Sequence, residues 1–145
     1  MSKAKLYDDL LMEHIKHARN YRVIENADRT ADGSNPLCGD NMTLFLRMDS
    51  GRILDAAFQC TCCGVSMASA SIMTEQVQGR TIAEVRAMGR AFRNMLEHAA
   101  ESPLPGDMPG AEAMLETARE YPARARCAAL PWTTLETMLA DLSGD

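Results

Sequence analysis

Five cysteines and one aspartate are the residues of this sequence best suited to chemistry. The aspartate is Asp40, and the cysteines are Cys38, Cys60, Cys62, Cys63 and Cys127. Proteins hold zinc with thiolates, imidazoles and carboxylates, and they hold iron–sulfur clusters mainly with thiolates. An odd number of cysteines in a reducing compartment favours metal binding or thiol chemistry over a framework of disulfides. The sequence therefore predicts a metal or thiol site.

The cysteines fall at three separate places in the chain, which together with Asp40 would supply four ligands. Gly39 lets the backbone turn tightly between Cys38 and Asp40, so that both side chains can face one ion. The segment 60–63 would supply the third ligand and Cys127 the fourth, and this reasoning leaves open which cysteine of the segment is used. A carboxylate binds these metals more weakly than a thiolate does. Asp40 is therefore the ligand that an incoming sulfur atom would displace.

A β-hairpin is predicted between Cys38 and the cysteines of segment 60–63. Residues Met42–Met48 alternate between apolar and polar side chains, with Phe45 as the exception, and 49–51 forms a turn. Ile53–Cys60 is the partner strand. Its inward face is predicted to carry Leu54, Ala56 and Phe58.

Hydrophobic periodicity and helix punctuation predict helices on both sides of this hairpin. The predicted segments are a helix at Lys5–Arg19, an irregular stretch at 20–36, a helix from 65 to Gly79, a helix opened by the capping box of Thr81 and Glu84, a loop at 102–110, a helix at Ala111–Glu120, a helix with Pro122 in its first turn that carries Cys127, and a last helix opened by Pro131. The serines from Ser66 to Ser71 are predicted to form a packing surface. His14, His17 and His98 are predicted to lie at the surface or on a face that contacts a partner, and not to bind a metal.

The order of these elements predicts an α+β fold, with helices packed on one face of a small three-stranded antiparallel sheet. A chain of 145 residues fits a single domain, 1–145. The formal net charge of −5 argues against nucleic-acid binding. No apolar run is long enough to cross a membrane, and the N-terminus does not read as a signal peptide. The sequence therefore predicts a cytoplasmic protein without nucleic-acid or membrane partners.

Three motifs contain the predicted ligands: Asn35 to Asp40, Cys63 to Ser71, and Tyr121 to Ala128. In kind and order they resemble the motifs of the IscU, SufU and NifU N-terminal family of iron–sulfur cluster assembly scaffold proteins. The long interval between Cys63 and Cys127 is similar to that of the SufU branch. So is Arg126, which stands where IscU proteins carry a histidine.

The resemblance implies a SufE/IscU-like fold and a site formed by Cys38, Asp40, Cys63 and Cys127. It implies that this site holds zinc, or iron in a 2Fe–2S cluster. It further implies sulfur transfer from the persulfide of a PLP-dependent cysteine desulfurase. In the mechanism that we expect, the persulfide-bearing cysteine displaces Asp40 or one thiolate from the metal, and Cys38 or Cys127 then attacks the outer sulfur. Downstream iron–sulfur assembly or carrier proteins would then receive the product. The family contains both cluster scaffolds and zinc-dependent sulfur acceptors, so it leaves open whether the protein is an enzyme.

Cys60 and Cys62 depart from the family pattern, which has glycines at these positions. They are predicted to be alternative ligands or a holding place for persulfide, or else small buried residues that merely pack. Two other functions also fit the cysteines. One is a thiol–disulfide oxidoreductase using Cys60-x-x-Cys63, although the rest of a thioredoxin-like βαβ pattern is missing. The other is a protein with a purely structural zinc ion.

Overall fold

The computed structural model describes residues 9–35, 39–98 and 111–140. The strands are β1 (Arg29–Asn35), β2 (Asp40–Asp49) and β3 (Arg52–Thr61), and the helices are α1 (Asp9–Lys16), α2 (Gly64–Val77), α3 (Ile82–Glu97), α4 (Ala111–Glu120) and α5 (Ala125–Leu139), with a 3₁₀ turn at Pro122–Arg124. The strands form one antiparallel sheet in the order β1-β2-β3. The predicted α+β fold is confirmed. The start of the predicted first helix and the predicted loop at 102–110 lie outside the described residues.

The β2–β3 hairpin forms as predicted, but a β-bulge near its turn changes which side chains face inward. Leu54 is 50% exposed, whereas Ile53 is buried together with Ala56 and Phe58. The prediction that Leu54 shares their face is therefore wrong. The extra residue in β3 shifts the alternation by one position, so that Ile53 takes the inward place.

Residues 29–35 form β1, although the sequence pattern predicts an irregular segment there. Burial alternates along this strand, but its inward positions include the small residues Ala31 and Gly33, which give a weak hydrophobic signal. A Cβ atom on Gly33 would overlap the Thr134 side chain. Glycine at this position therefore lets α5 lie close against the sheet.

The main core fills the space between the sheet and the helices. The predicted capping box at the start of α3 is confirmed, because Glu84 N donates to Thr81 Oγ1 at 3.1 Å and Thr81 N donates to Glu84 Oε1 at 2.9 Å. Gly79, with φ of +84°, lies just after the end of α2. None of the helices in the described part of the chain is long and apolar enough to cross a membrane.

Helix α5 continues through Pro131, so the prediction that Pro131 opens a separate helix is wrong. Proline has no N–H and cannot donate to the carbonyl of Cys127, four residues earlier. The hydroxyl of Ser66 on α2 lies 2.9 Å from that carbonyl and can donate to it. Ser69, one turn further along α2, donates to the Ala128 carbonyl at 2.6 Å. Packing against α2 thus replaces the donor that Pro131 lacks.

His14 is buried between α1 and α2, so the prediction of a surface position is wrong. Its Nδ1 lies 2.7 Å from Ser71 Oγ, which accepts the backbone N–H of Arg19 at 2.8 Å. Burial, assisted by the positive charge of Arg19, lowers the pKa of His14 from 6.5. His17 and His98 are exposed, as predicted.

Candidate metal centre

Three of the predicted ligands converge where β2, α2 and α5 meet. Asp40 is the first residue of β2, Cys63 is the N-cap of α2, and Cys127 lies in the first turn of α5. One carboxylate oxygen and the two Sγ atoms all lie within 4.8 Å of one another. The other predicted ligand, Cys38, lies outside the described residues and stays a prediction. Residues distant in sequence thus meet at one end of the sheet.

The carboxylate of Asp40 is held by the N-terminus of α2. Oδ1 accepts the backbone N–H of Cys63 at 3.0 Å, and Oδ2 accepts the hydroxyl of Ser66 at 2.9 Å. The partial positive charge at a helix N-terminus attracts an anion at this place. The turn predicted before Asp40 is present, because Gly39 has φ of +74° and donates its N–H to the Asn35 carbonyl at 2.9 Å.

The two converging cysteines differ in their access to solvent. Cys63 is half-buried and stands in an extended backbone conformation just before α2. Cys127 has 0% exposure and lies beneath the surface in the first turn of α5. A reagent from solvent can therefore approach Cys63 directly, whereas it reaches Cys127 only after neighbouring groups move.

Ser66 connects all three converging ligands. Besides its contacts with Asp40 and the Cys127 carbonyl, its Oγ lies 3.7 Å from Cys63 Sγ. A serine hydroxyl carries one proton, so it donates to either Asp40 or the Cys127 carbonyl, while the Cys63 thiol donates to it. From the sequence, Ser66 is predicted to serve packing alone. Its role could have been found from its place three residues after Cys63, together with Pro131 four residues after Cys127.

The chemistry of this donor set fits zinc. Tetrahedral zinc with bonds of about 2.0–2.3 Å places its ligand atoms roughly 3.4–3.8 Å apart. The ligand atoms, all within 4.8 Å of one another, are therefore close enough to share one zinc ion after at most a small inward movement. Two sulfurs and one oxygen leave one position of the tetrahedron for a further ligand.

Cys60 and Cys62 are joined by a disulfide, with their Cα atoms 5.5 Å apart. Both side chains are half-buried against the core. This bond links two residues that are close in sequence and is not part of a disulfide framework, but it is not predicted from the sequence. The oxidoreductase alternative is not favoured, because Cys60 is bonded to Cys62 while Cys63 lies beside Asp40 and Cys127.

Comparisons with known proteins identify the family of this chain. The family model of the NifU-like N-terminal domain matches residues 6–128. The chain is 36% identical over 139 residues to the zinc-dependent sulfurtransferase SufU of Bacillus subtilis, covering 96% of this chain and 92% of that relative. It is 28% identical over 138 residues to the iron–sulfur cluster assembly scaffold protein IscU of Thermotoga maritima, covering 95% of each.

A solved structure extends the likeness to the fold. It is that of a candidate iron–sulfur cluster assembly scaffold protein for the SUF system from Fervidobacterium islandicum, with a TM-score of 0.82 and 31% identity. The match covers 95% of this chain and 99% of the other. The chain therefore belongs to the NifU-like N-terminal domain family of iron–sulfur cluster assembly proteins.

Proposed function

We propose that this protein accepts sulfur from the persulfide of a PLP-dependent cysteine desulfurase and holds zinc or a nascent 2Fe–2S cluster. The ligands are Cys38, Asp40, Cys63 and Cys127. The observation that carries the proposal is the convergence of the last three, whose ligand atoms lie within 4.8 Å of one another. The sulfur then passes to downstream iron–sulfur assembly or carrier proteins in the cytoplasm.

Zinc is the proposed resident ion, and a 2Fe–2S cluster is the second candidate. The relative named as a zinc-dependent sulfurtransferase is 36% identical over nearly the whole chain, against 28% for the IscU scaffold. Arg126 before the last cysteine also matches the SufU-like pattern. When bound, the ion keeps its cysteine ligands as thiolates, which is the form that reacts with a persulfide.

Asp40 is the proposed exchangeable ligand, because a carboxylate binds these metals more weakly than a thiolate does. The hydrogen bonds from Cys63 N–H and from Ser66 give its carboxylate a place within the protein when it is not a ligand. Neither oxygen is then left buried without a donor, which would be costly. This support makes release of Asp40 easier than release of a cysteine.

Cys38 is the proposed first sulfur acceptor, with Cys127 kept as a buried ligand. Cys127 has no exposed surface, so a persulfide on another protein cannot reach it without displacing its cover. In the proposed transfer, the thiolate of Cys38 attacks the outer sulfur of the desulfurase persulfide. The sulfur–sulfur bond breaks, and the desulfurase cysteine leaves as a thiolate.

Metal and acid-labile sulfide analysis of anaerobically purified protein, with its visible absorption spectrum, tests the proposal. Near-stoichiometric zinc without sulfide is expected, together with sulfur labelling after incubation with a cysteine desulfurase and cysteine. Cys38→Ser and Cys63→Ser are each expected to lower the metal content. Wild-type protein that retains neither zinc nor iron and accepts no sulfur would refute the proposal.

Asp40→Ala is expected to slow release of the metal to a chelator, because the exchangeable ligand has been removed. Asp49→Ala is the matched control, since Asp49 is an exposed carboxylate at the other end of β2. The rate of zinc transfer to a colorimetric chelator measures the effect. If Asp40→Ala releases zinc as fast as the wild type does, Asp40 is not the exchangeable ligand.

A further inference from the structure

The Cys60–Cys62 pair is the one thiol group of the described chain that the proposed sulfur transfer leaves unused. Its cysteines replace residues that are glycines in the family pattern, and they stand three positions and one position before the ligand Cys63. Their Cα separation of 5.5 Å lies within the range in which a disulfide can form and reopen without large backbone movement. The two sulfurs therefore form a dithiol–disulfide couple built into the end of β3.

This couple lies directly beside the candidate metal centre. Strands β2 and β3 pair Asn41 with Thr61 at the open end of the hairpin. The next residues outward from this pair are Asp40 and Cys62. The nitrogen that joins Cys62 to Cys63 donates a hydrogen bond to Asp40 Oδ1 at 3.0 Å. The couple is therefore joined to the ligand group by a single peptide bond and shares the same end of the sheet.

Cys60 is held in place by a side chain from outside the sheet. The hydroxyl of Tyr21 donates to the Cys60 carbonyl at 2.9 Å and accepts the Cys60 N–H at 3.3 Å. The Tyr21 ring packs edge-to-face on Phe58, with ring centroids 5.2 Å apart. Cys60 and Cys62 are both only half-buried, so a small persulfide can approach them.

The bond is poorly placed to serve as a structural link. It closes a loop with a single intervening residue, and loop closure is the main way in which a disulfide stabilises a fold. In reducing compartments, disulfides are mostly transient and take part in catalysis or redox sensing. A chemical role accounts for the pair better than a stabilising one does.

We propose that Cys60 and Cys62 reduce sulfane sulfur to hydrosulfide beside the metal centre. The proposal deepens the function proposed above and rests on it for the arrival of persulfide. A 2Fe–2S cluster contains sulfide, whereas a persulfide delivers sulfur that is two electrons more oxidised. The dithiol supplies these two electrons where the sulfide is needed.

The reaction proceeds in two exchange steps. First, the Cys62 thiolate attacks the outer sulfur of a persulfide, the sulfur–sulfur bond breaks, and the donor cysteine leaves as a thiolate. Second, the Cys60 thiolate attacks Cys62 Sγ, and hydrosulfide leaves with the electron pair of the broken bond. The sulfane sulfur gains two electrons, each cysteine sulfur loses one, and the product is the Cys60–Cys62 disulfide. A dithiol reductant then restores the pair.

Single-turnover reduction of glutathione persulfide tests the proposal. The full chain is reduced, freed of reductant without air and mixed with limiting glutathione persulfide. Hydrosulfide is trapped with monobromobimane, and the 60–62 peptide is examined by mass spectrometry. Wild-type protein is expected to release hydrosulfide in step with formation of the Cys60–Cys62 bond. Thr61→Ala, which changes an exposed residue between the cysteines, is expected to behave in the same way.

Removal of either cysteine separates the two steps. Cys60→Ser is expected to release about tenfold less hydrosulfide and to hold the sulfur as a Cys62 persulfide, because the second attack is lost. Cys62→Ser is expected to form neither this persulfide nor the disulfide. The double variant gives the background. Hydrosulfide release by Cys60→Ser at the wild-type rate, or release without formation of the Cys60–Cys62 bond, would overturn the proposal.

The same assay distinguishes this proposal from the function on which it rests. Cys127→Ser is expected to lose metal but to keep hydrosulfide release from glutathione persulfide. Absence of metal and of sulfur acceptance from the desulfurase, with hydrosulfide release intact, would refute the proposed function alone. Normal metal content and sulfur acceptance, without dithiol-dependent hydrosulfide release, would refute the further inference alone.

Discussion

Two pairs of cysteines lie at the same end of the sheet and differ in state. Cys60 and Cys62 are two residues apart in one chain segment and are bonded to each other. Cys63 and Cys127 come from different helices, and Asp40 lies within 4.8 Å of both of their sulfurs. The first pair is suited to exchanging electrons, and the second is suited to sharing an ion. Neighbouring cysteines of one motif can therefore have separate chemistry, decided by which element holds each sulfur.

The largest expected effect separates the two pairs by metal content. Cys127→Ser is expected to weaken zinc binding by at least about a hundredfold, because a ligand is lost and not merely its support. The double variant Cys60→Ser/Cys62→Ser is expected to retain the wild-type metal content. Competition with a zinc chelator measures both. A double variant that loses zinc would make the first pair part of the metal site.

The next effect concerns the position of α5, which carries Cys127 but neither cysteine of the first pair. Gly33→Ala is expected to destabilise the fold by about 1–3 kcal/mol, because the new methyl group overlaps Thr134 where α5 lies against β1. Denaturant unfolding measures this. Adding Thr134→Ala is expected to recover part of the loss, since it removes the overlapping atoms. An unchanged free energy of unfolding in Gly33→Ala would contradict the close approach.

A smaller effect on zinc binding is expected from removal of the Ser66 hydroxyl, which lies between Asp40 and α5. Ser66→Ala is expected to slow zinc release to a chelator, and so to tighten zinc binding, by up to about tenfold, because the Asp40 carboxylate loses a donor that holds it when it is not a ligand. Ser69→Ala is the matched control, since Ser69 donates to Ala128 on the same helix without contacting Asp40. Equal zinc affinities of the two variants would show that Ser66 acts only in helix packing.

The smallest effect lies at the face of α2 that packs against α1. His14 has a lowered pKa because it is buried, so the unfolded chain takes up its proton first as the pH falls. Stability is therefore expected to decrease as the pH falls through 6.5 toward the folded-state pKa. His14→Gln is expected to flatten this part of the profile of unfolding free energy against pH. His17→Gln is expected to leave the profile unchanged. An unchanged profile in His14→Gln would assign the dependence to another group.

The elements with strong hydrophobic patterns could be predicted from the sequence, and those governed by close packing could not. The hairpin, α2, α3 and α4 follow from periodicity, turns and caps. Strand β1 is missed because Ala31 and Gly33 face inward where larger apolar residues usually signal a strand. The inward position of Ile53 depends on a bulge, which the alternation of Leu54, Ala56 and Phe58 conceals.

At the candidate metal centre, too, ligand types could be predicted from the sequence, whereas contacts that depend on packing could not. The convergence of Asp40, Cys63 and Cys127 could be expected from the motifs, because each has a suitable ligand type. Ser66 is harder to assign, because the one sequence signal for its role is the spacing from Cys127 to Pro131, which leaves the Cys127 carbonyl without its usual helical donor. The Cys60–Cys62 bond depends on the local path of the chain at the end of β3, which spacing alone does not decide.

The backbone groups along the outer edge of β3 are already hydrogen-bonded within the protein. Along this strand, Tyr21 binds the backbone of Cys60, Asn20 and Arg22 bind that of Phe58, and Gln78 binds the carbonyl of Ala56. These contacts occupy groups that an extended peptide would need in order to extend the sheet. Addition of a strand from another protein, or from a second copy of this chain, is therefore disfavoured along the β3 edge.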